Sequence, residues 1–365
     1  MLKTLAMLFM LGCASFACAG DPSQPGVWLI RTPDQGVYPR AAVDGSGTLH
    51  LIYFKGDARG GDVFYVRSDH PREGFSKPVH VNSQPDSAMI IGTVRGPQLA
   101  LGRDQRVHVA WMGTQSEMWY TRMDDSRQAF ESQRNIATRR PGLDGGGTVA
   151  ADSSGNVFIV WHAPASAREH DEAARRVWIA RSSDEGKTFA AETDGGAPAR
   201  GVCACCNLAA WAQRENLYVL YRCATKKVHR DIHLLSFNDR LQCTADRTVA
   251  ETQINKCVMS TASFAAGVGA FESNGQVHWI RLATEDAPIT PPGDAQRKHP
   301  SIAISPTGHV LLTWTEGSSW NHGGRLAWQR FDSTGKPGET SGGGELPAFS
   351  VPAAVARPEG FFIIY

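Results

Sequence analysis

The chain of 365 residues has almost no stretch with helical periodicity. Apolar residues do not recur at the three- and four-residue steps by which a helix buries one face. That excludes a helical bundle and a helical solenoid. Beyond the first twenty residues or so, no apolar run is long enough to cross a bilayer as a helix. Charge of either sign is not in surplus: 37 Lys and Arg stand against 36 Asp and Glu, for a net charge of +1. Bulk attraction to nucleic acid or to an acidic membrane is thereby excluded as a function class. The pair Arg139-Arg140 and the triplet Arg297-Lys298-His299 read as solvated loop charges.

What the chain has in quantity is glycine (37) and tryptophan (10), together with an apolar content of 42%. This suits many short strands joined by tight turns around a full core. One motif recurs throughout: an apolar strand, a turn that contains Gly in every copy but 207–222, a second apolar strand and an aromatic or arginine. The copies run 39–54, 97–111, 147–161, 207–222, 263–281, 300–314 and 351–365. Most are followed by a second hairpin, as at Asp62–Ser68, Glu117–Met123 and Asp231–Phe237. Four-stranded units repeated around an axis make a β-propeller, which hides its sheet edges by closing the ring. The expected fold is therefore all-β, a propeller of four-stranded blades, six or seven in number. The unit between Arg281 and Pro300 looks short, with a Pro-rich stretch at 288–292 in place of an outer hairpin. The strand Val27–Arg31 lacks inner partners, and the chain ends just after an inner hairpin. The N-terminal strand is expected to complete the last blade, and the run Gly342–Gly344 to be a loop.

The N-terminus reads as a targeting segment. Lys3 is the only charge before Asp21, Leu5 to Ala17 is apolar, and Ala17-Cys18-Ala19 is a small-x-small cleavage site. A signal peptide over 1–19 and a propeller domain over 20–365 follow, with a periplasmic or secreted location. A lipoprotein cysteine at Cys13 or Cys18 is the alternative.

Residues 155–189 carry the clearest signature. Two β-branched runs bracket a polar excursion, and the second ends in Ser182-Ser183-Asp184-Glu185-Gly186-Lys187-Thr188-Phe189. Ser182 and Asp184 can accept bonds from turn amides, Gly186 supplies a positive φ, and Phe189 plugs the turn into the core. This turn resembles the Asp box of the BNR-repeat, sialidase-like β-propellers. The resemblance covers most of the mature chain as a repeat pattern and implies six blades, whereas seven inner hairpins are counted. In such a blade the Asp-box turn lies on the face opposite the loops that lead into first strands. It is expected to be structural.

The loops of that other face hold the unusual residues. Loops into first strands carry Tyr38-Pro39-Arg40, Arg95, Asp144, Cys203, Cys205, Cys206, Cys257, Met259 and His299. Loops between second and third strands carry Lys55, Asp57, Arg59, His162, His170, Arg222, Cys223, Arg281, Glu316, Trp320 and His322. Six cysteines remain in the mature chain, and an oxidising compartment favours disulfides. Adjacent Cys205 and Cys206 should reach different partners, with Cys223 expected to pair with one of the Cys-x-Cys-Cys members and Cys257 able to staple the next blade. The alternative is a soft-metal or redox site, in which Cys203, Cys205, Cys206 and Cys257 hold Cu(I) or Zn(II). The Cys-x-Cys-Cys run matches neither a zinc knuckle nor a haem attachment site.

The resemblance also implies a chemistry. Sialidases grip the substrate carboxylate with three arginines and use a tyrosine nucleophile, a helping glutamate and an aspartic acid/base. Arg40 stands where the first arginine belongs, although the family's Arg-Ile-Pro is here Pro39-Arg40. Arg222 and Arg281 could supply the other two. Asp57 or Asp62 could be the acid, with Tyr221 and Glu316 in the remaining roles. The leading reading is a sialidase-like propeller that binds, and could hydrolyse, a sialoside-type glycan. The competing readings are an envelope metal or redox protein and a non-catalytic interaction scaffold. No cofactor is expected beyond that copper or zinc, and a monomer with a glycan or small-molecule ligand is expected.

Overall fold

The structure, a computed structural model, describes residues 26–166, 169, 171–196, 200–214, 216–226 and 228–365. The expected signal peptide, Cys13, Cys18 and His170 lie outside the described residues.

Each predicted hairpin forms because β-branched and aromatic side chains alternate toward the two neighbouring blades. The result is a seven-bladed β-propeller: the described residues form seven sheets, five of four strands and two of three. The innermost strands begin at Val37, Gln98, Gly147, Ala209, Ser263, Arg297 and Ala353. Each packs on the next, and the first also packs on the seventh, so the inner ring closes. Alanines such as Ala41, Ala100, Ala150, Ala210, Ala303 and Ala354 face the axis there and leave a tunnel. Trp111, Trp161, Trp279 and Trp314 are fully buried in the clusters between blades.

The seventh blade is shared between the two ends of the chain. Gly26–Ile30 pairs in parallel with Gly360–Ile364, which pairs antiparallel with Ala353–Arg357. The N-terminal strand thus completes the last blade, as the hairpin count requires. Six blades, which the resemblance implies, are not what this chain builds.

Three readings need correction. Arg297 and His299 are not solvated loop charges; they are buried in the strand Arg297–Ile304. Gly342–Gly344 is no loop; it belongs to the outer strand Pro337–Glu345 of the sixth blade. The largest correction concerns the fifth blade. Its turns are Ala266-Gly267 and Asn274-Gly275, all four residues with positive φ, so there are three strands: Ser263–Ala265, Val268–Ser273 and Gln276–Arg281. Ala266 gave no turn signal, so 263–281 reads from sequence as two strands. Arg281 therefore ends a third strand and not a second, which sends it to the opposite face. Where a fourth strand would run, only a two-residue bridge between Trp279 and Ile289 forms. The prolines that follow, Pro291 and Pro292, have no amide hydrogen to extend it.

Candidate functional site

The turn of residues 182–189 is built as its residue types dictate. Asp184 Oδ1 accepts from the Ser182 hydroxyl (2.6 Å) and the Thr188 amide (2.9 Å), and Ser182 Oγ accepts from the Gly186 amide (2.8 Å). Phe189 packs edge-on to Tyr120 of the preceding blade, with ring centroids 4.9 Å apart. The turn joins the third and fourth strands of its blade, opposite the cysteine loops. The corresponding turn of the sixth blade repeats the device, with Asp332 Oδ1 accepting from the amides of Thr334 and Lys336, each at 2.9 Å.

On the cysteine face, residues 203–206 form a tight turn just before the inner strand Ala209–Gln213. The Cys206 amide reaches the Cys203 carbonyl at 3.4 Å, and the Cys203 amide binds the Arg222 carbonyl at 2.9 Å. Glu172 accepts from the Ala204 amide (2.7 Å) and pairs with Arg230 (2.7 Å), which pins the loop from outside. Cys205 is disulfide-bonded to Cys257 of the loop leading into the fifth blade, so that bridge does staple two blades. Cys203 and Cys206 are free and buried, with Cys203 Sγ 3.4 Å from Cys206 Sγ and 3.6 Å from Cys205 Sγ. The thiol of Cys203 donates to Cys206. That bond, with help from nearby Arg222, outweighs burial and pulls the Cys206 pKa down, while Cys203 is pushed up.

Two buried groups frame this loop. Arg175 Nε donates to His162 Nδ1 (3.1 Å), so the ring proton must sit on Nε2, which donates to the Cys206 carbonyl (3.0 Å). Full burial, and then Arg175, hold the His162 pKa well below the ordinary histidine value, so the ring is neutral. Arg222 pairs with Glu272 of the fifth blade at 2.6 Å, both side chains 3% exposed. A guanidinium so committed has no fork left for a substrate carboxylate.

The remaining predicted residues do not converge. Arg40 lies on the tunnel wall, donating to Gln98 Oε1 and the Tyr38 hydroxyl, each at 3.2 Å. Asp57 caps its own hairpin by accepting from the Arg59 amide (2.8 Å). Asp62 accepts from Asn82 (2.7 Å) and the Asp86 amide (2.9 Å) and holds a first-blade loop. Glu316, in the sixth blade, is bonded to Trp314 (3.1 Å) and Arg325 (2.7 Å). The Tyr221 ring is fully buried. Arg95 pairs with Asp144 and lies over the exposed ring of Trp320, 5.8 Å from its centroid. Cys223, expected in a disulfide, is free and buried. Its sulfur lies with ligand atoms of Asp231 and His233 inside a 4.8 Å circle. Burial works against charge on the His233 ring, but its bonds to Cys223 and Asp246 outweigh that and hold its pKa up. Cys243 is free and exposed on an outer strand.

The axial tunnel starts as a space of about 120 Å³ beside Arg40 and widens to about 360 Å³ between the alanine-rich strands. It opens on the opposite face into a cleft of about 750 Å³. Trp211 and Tyr218 stack there at 5.5 Å, on one side of a hairpin of the fourth blade. Gln105, Gln213, Arg214 and Arg281 complete the wall. The sequence reading missed this cleft because turns between first and second strands look like ordinary surface turns. The Trp211/Tyr218 pair was the available signal.

No family model matches the chain, and no curated protein matches it. Solved structures do. The BP39L lectin of Burkholderia pseudomallei aligns with a TM-score of 0.61 and 11% identity, over 90% of this chain and 95% of that one. An α-L-arabinanase of Penicillium chrysogenum, solved with arabinobiose, aligns with a TM-score of 0.51 and 10% identity, over 83% and 95%. An α-L-arabinofuranosidase of Fusarium graminearum gives 0.51 and 10%, over 78% and 89%. At these identities the likeness is one of fold: the chain is similar to β-propellers whose own names are those of carbohydrate-binding and glycoside-cleaving proteins.

Proposed function

We propose that this chain is a carbohydrate-binding β-propeller whose ligand occupies the cleft of about 750 Å³ at the wide end of the tunnel. That cleft carries the reading. Its size is that of a ligand pocket, and it combines an aromatic pair with a few polar groups. Trp211 and Tyr218 offer apolar faces to sugar C–H groups. Arg214, Gln213 and Arg281 offer donors to hydroxyls or to a carboxylate. An acidic sugar suits two arginines, and a sialoside is the finer reading that the family resemblance suggests. The lectin and glycosidase names of similar propellers agree with a glycan ligand.

Binding is favoured over hydrolysis. Most glycosidases, sialidases with their tyrosine nucleophile excepted, use a pair of carboxyl groups. Among the described lining residues only Asp152 carries one, and it accepts from Asn156 Nδ2 (2.9 Å) and the Ser154 amide (2.9 Å). The sialidase route also loses its arginine trio, because Arg281 lies on the face opposite Arg222 and the cysteines.

The test is calorimetric titration of the mature chain with neutral and acidic oligosaccharides, sialyllactose included. Trp211→Ala should weaken binding at least tenfold with an unchanged melting temperature, since Trp211 is only half-buried. A chain that binds none of the panel, or a Trp211→Ala variant that binds as before, would sink the proposal.

A further inference from the structure

Four sulfur atoms meet at the seam of the fourth and fifth blades, and carbohydrate binding uses none of them. We propose that Cys203, Cys205, Cys206 and Cys257 form a four-thiolate site for one thiophilic cation, zinc(II), once the Cys205–Cys257 bridge is reduced.

The geometry carries this. Ligand atoms of Cys203, Cys205 and Cys206 all lie within 4.8 Å of one another, and Cys257 shares the spot through its bond to Cys205. The spacings of 3.4 and 3.6 Å about Cys203 are close to the edge of a ZnS₄ tetrahedron. With Zn–S bonds of about 2.3 Å that edge is about 3.8 Å. Packing alone gives no reason for the arrangement. The local apolar cluster is Cys203, Cys205, Cys206, Val258 and Ile254, a small pocket that aliphatic side chains could fill as well.

The surroundings are those of a held metal loop. The Nε2–H of His162 fixes the Cys206 carbonyl at 3.0 Å. Gly145 leaves room for that carbonyl and the Ala204 carbonyl, where a Cβ would collide with both. Lys298 Nζ donates to the Val258 carbonyl at 2.8 Å, and buried Arg222 lies beside Cys206, so positive charge stands near the thiolates. The cluster's side-chain ligands among the described residues are all sulfur, with no carboxylate, which disfavours magnesium or calcium.

The electron and proton balance is simple. A dithiol reductant passes two electrons and two protons to the Cys205–Cys257 bond and becomes a disulfide itself. The bridge becomes two thiols. Zinc then replaces the protons of the four thiols, which pass to solvent. In reverse, a disulfide oxidant takes two electrons from Cys205 and Cys257 and becomes a dithiol with two solvent protons, Cys203 and Cys206 regain protons from solvent, and the ion leaves, so the disulfide is the metal-free form of the same site.

The experiment uses the mature chain, reduced anaerobically with a dithiol that is then removed, and zinc alone as the probe. Competition with a chromophoric chelator should give one zinc per chain, and cobalt(II) should give the absorption of a tetrahedral thiolate complex. The air-oxidised chain should take up none. Mass spectrometry after alkylation should show Cys203, Cys205, Cys206 and Cys257 protected by zinc, and Cys223 and Cys243 not. Cys206→Ser should lower affinity at least a hundredfold, and Cys243→Ser should not change it. Should reduction unfold the chain, zinc should restore its circular dichroism. No stoichiometric zinc on the reduced chain, no refolding by zinc, equal uptake by the oxidised chain, or protection of Cys223 in place of these four would each overturn the proposal.

Discussion

Asp184 shows how much one side chain in a turn can carry. Its two oxygens accept from Ser182 Oγ (2.6 Å), the Thr188 amide (2.9 Å) and Thr188 Oγ1 (2.7 Å). Burial is the largest single influence and opposes the charge, but these bonds together outweigh it and pull the pKa down to about 2. A carboxylate depressed in the folded state contributes stability above its unfolded pKa of about 3.9, and that contribution fades as pH falls toward 2. Asp184→Ala should therefore cost about 1–2 kcal/mol at neutral pH through lost turn bonds. Urea melts should show the gap between wild type and variant shrinking from pH 4 to pH 2. A gap that stays constant over that range would remove the charged form from the argument. This turn was legible in the sequence because all its partners lie within eight residues. The roles of His162 and Arg222 were not, because their partners, the Cys206 carbonyl and Glu272, arrive from the following blade.

At the scale of strands, a hairpin is readable as far as its turns are. Six of the seven inner hairpins carry recognisable turn residues and were placed correctly. The fifth was not, since Ala266 adopts positive φ in a two-residue turn that its identity does not announce. One missed turn adds one strand, and one strand reverses which face the next residue reaches. That is why the repeat alignment groups Arg281 with Arg40 and Arg222. The seam between the fourth and fifth blades rests on the buried Arg222–Glu272 pair, which the Glu272 contact with the Gly275 amide (2.7 Å) also orients. Arg222→Met strands a buried carboxylate and should cost about 3–5 kcal/mol, whereas Arg222→Met with Glu272→Leu should recover most of it. Equilibrium unfolding of both variants checks this. A double variant no more stable than the single one would mean that Arg222 acts through its bond to the Arg230 carbonyl (2.9 Å) instead.

The molecule as a whole is a closed ring, and closure is what the two chain ends accomplish together. The propeller and the use of the N-terminal strand in its last blade were legible from repeat counting. The tunnel and its cleft were not, because they exist only when seven inner strands meet. Closure has two parts. The inner strands of the first and seventh blades pack together at the axis. Farther out, Gly26–Ile30 covers the edge of Gly360–Ile364, Trp28 stacks on Phe362 at 5.0 Å, and the Thr32 amide reaches the Tyr365 carbonyl at 2.8 Å. Without that strand the seventh blade would be a two-stranded hairpin, which is marginal by itself, and its outer edge would present unpaired amides beside Phe362. Removing residues 1–31 should therefore lower the melting temperature by several degrees and produce edge-paired oligomers at micromolar concentration. Trp28→Ala, which keeps the backbone pairing and loses the stacked ring, should lower stability more mildly and elute as the wild type does. The two effects separate on size-exclusion chromatography and thermal melts. A truncated chain that elutes and melts with the wild type would mean that the inner strands alone close the ring.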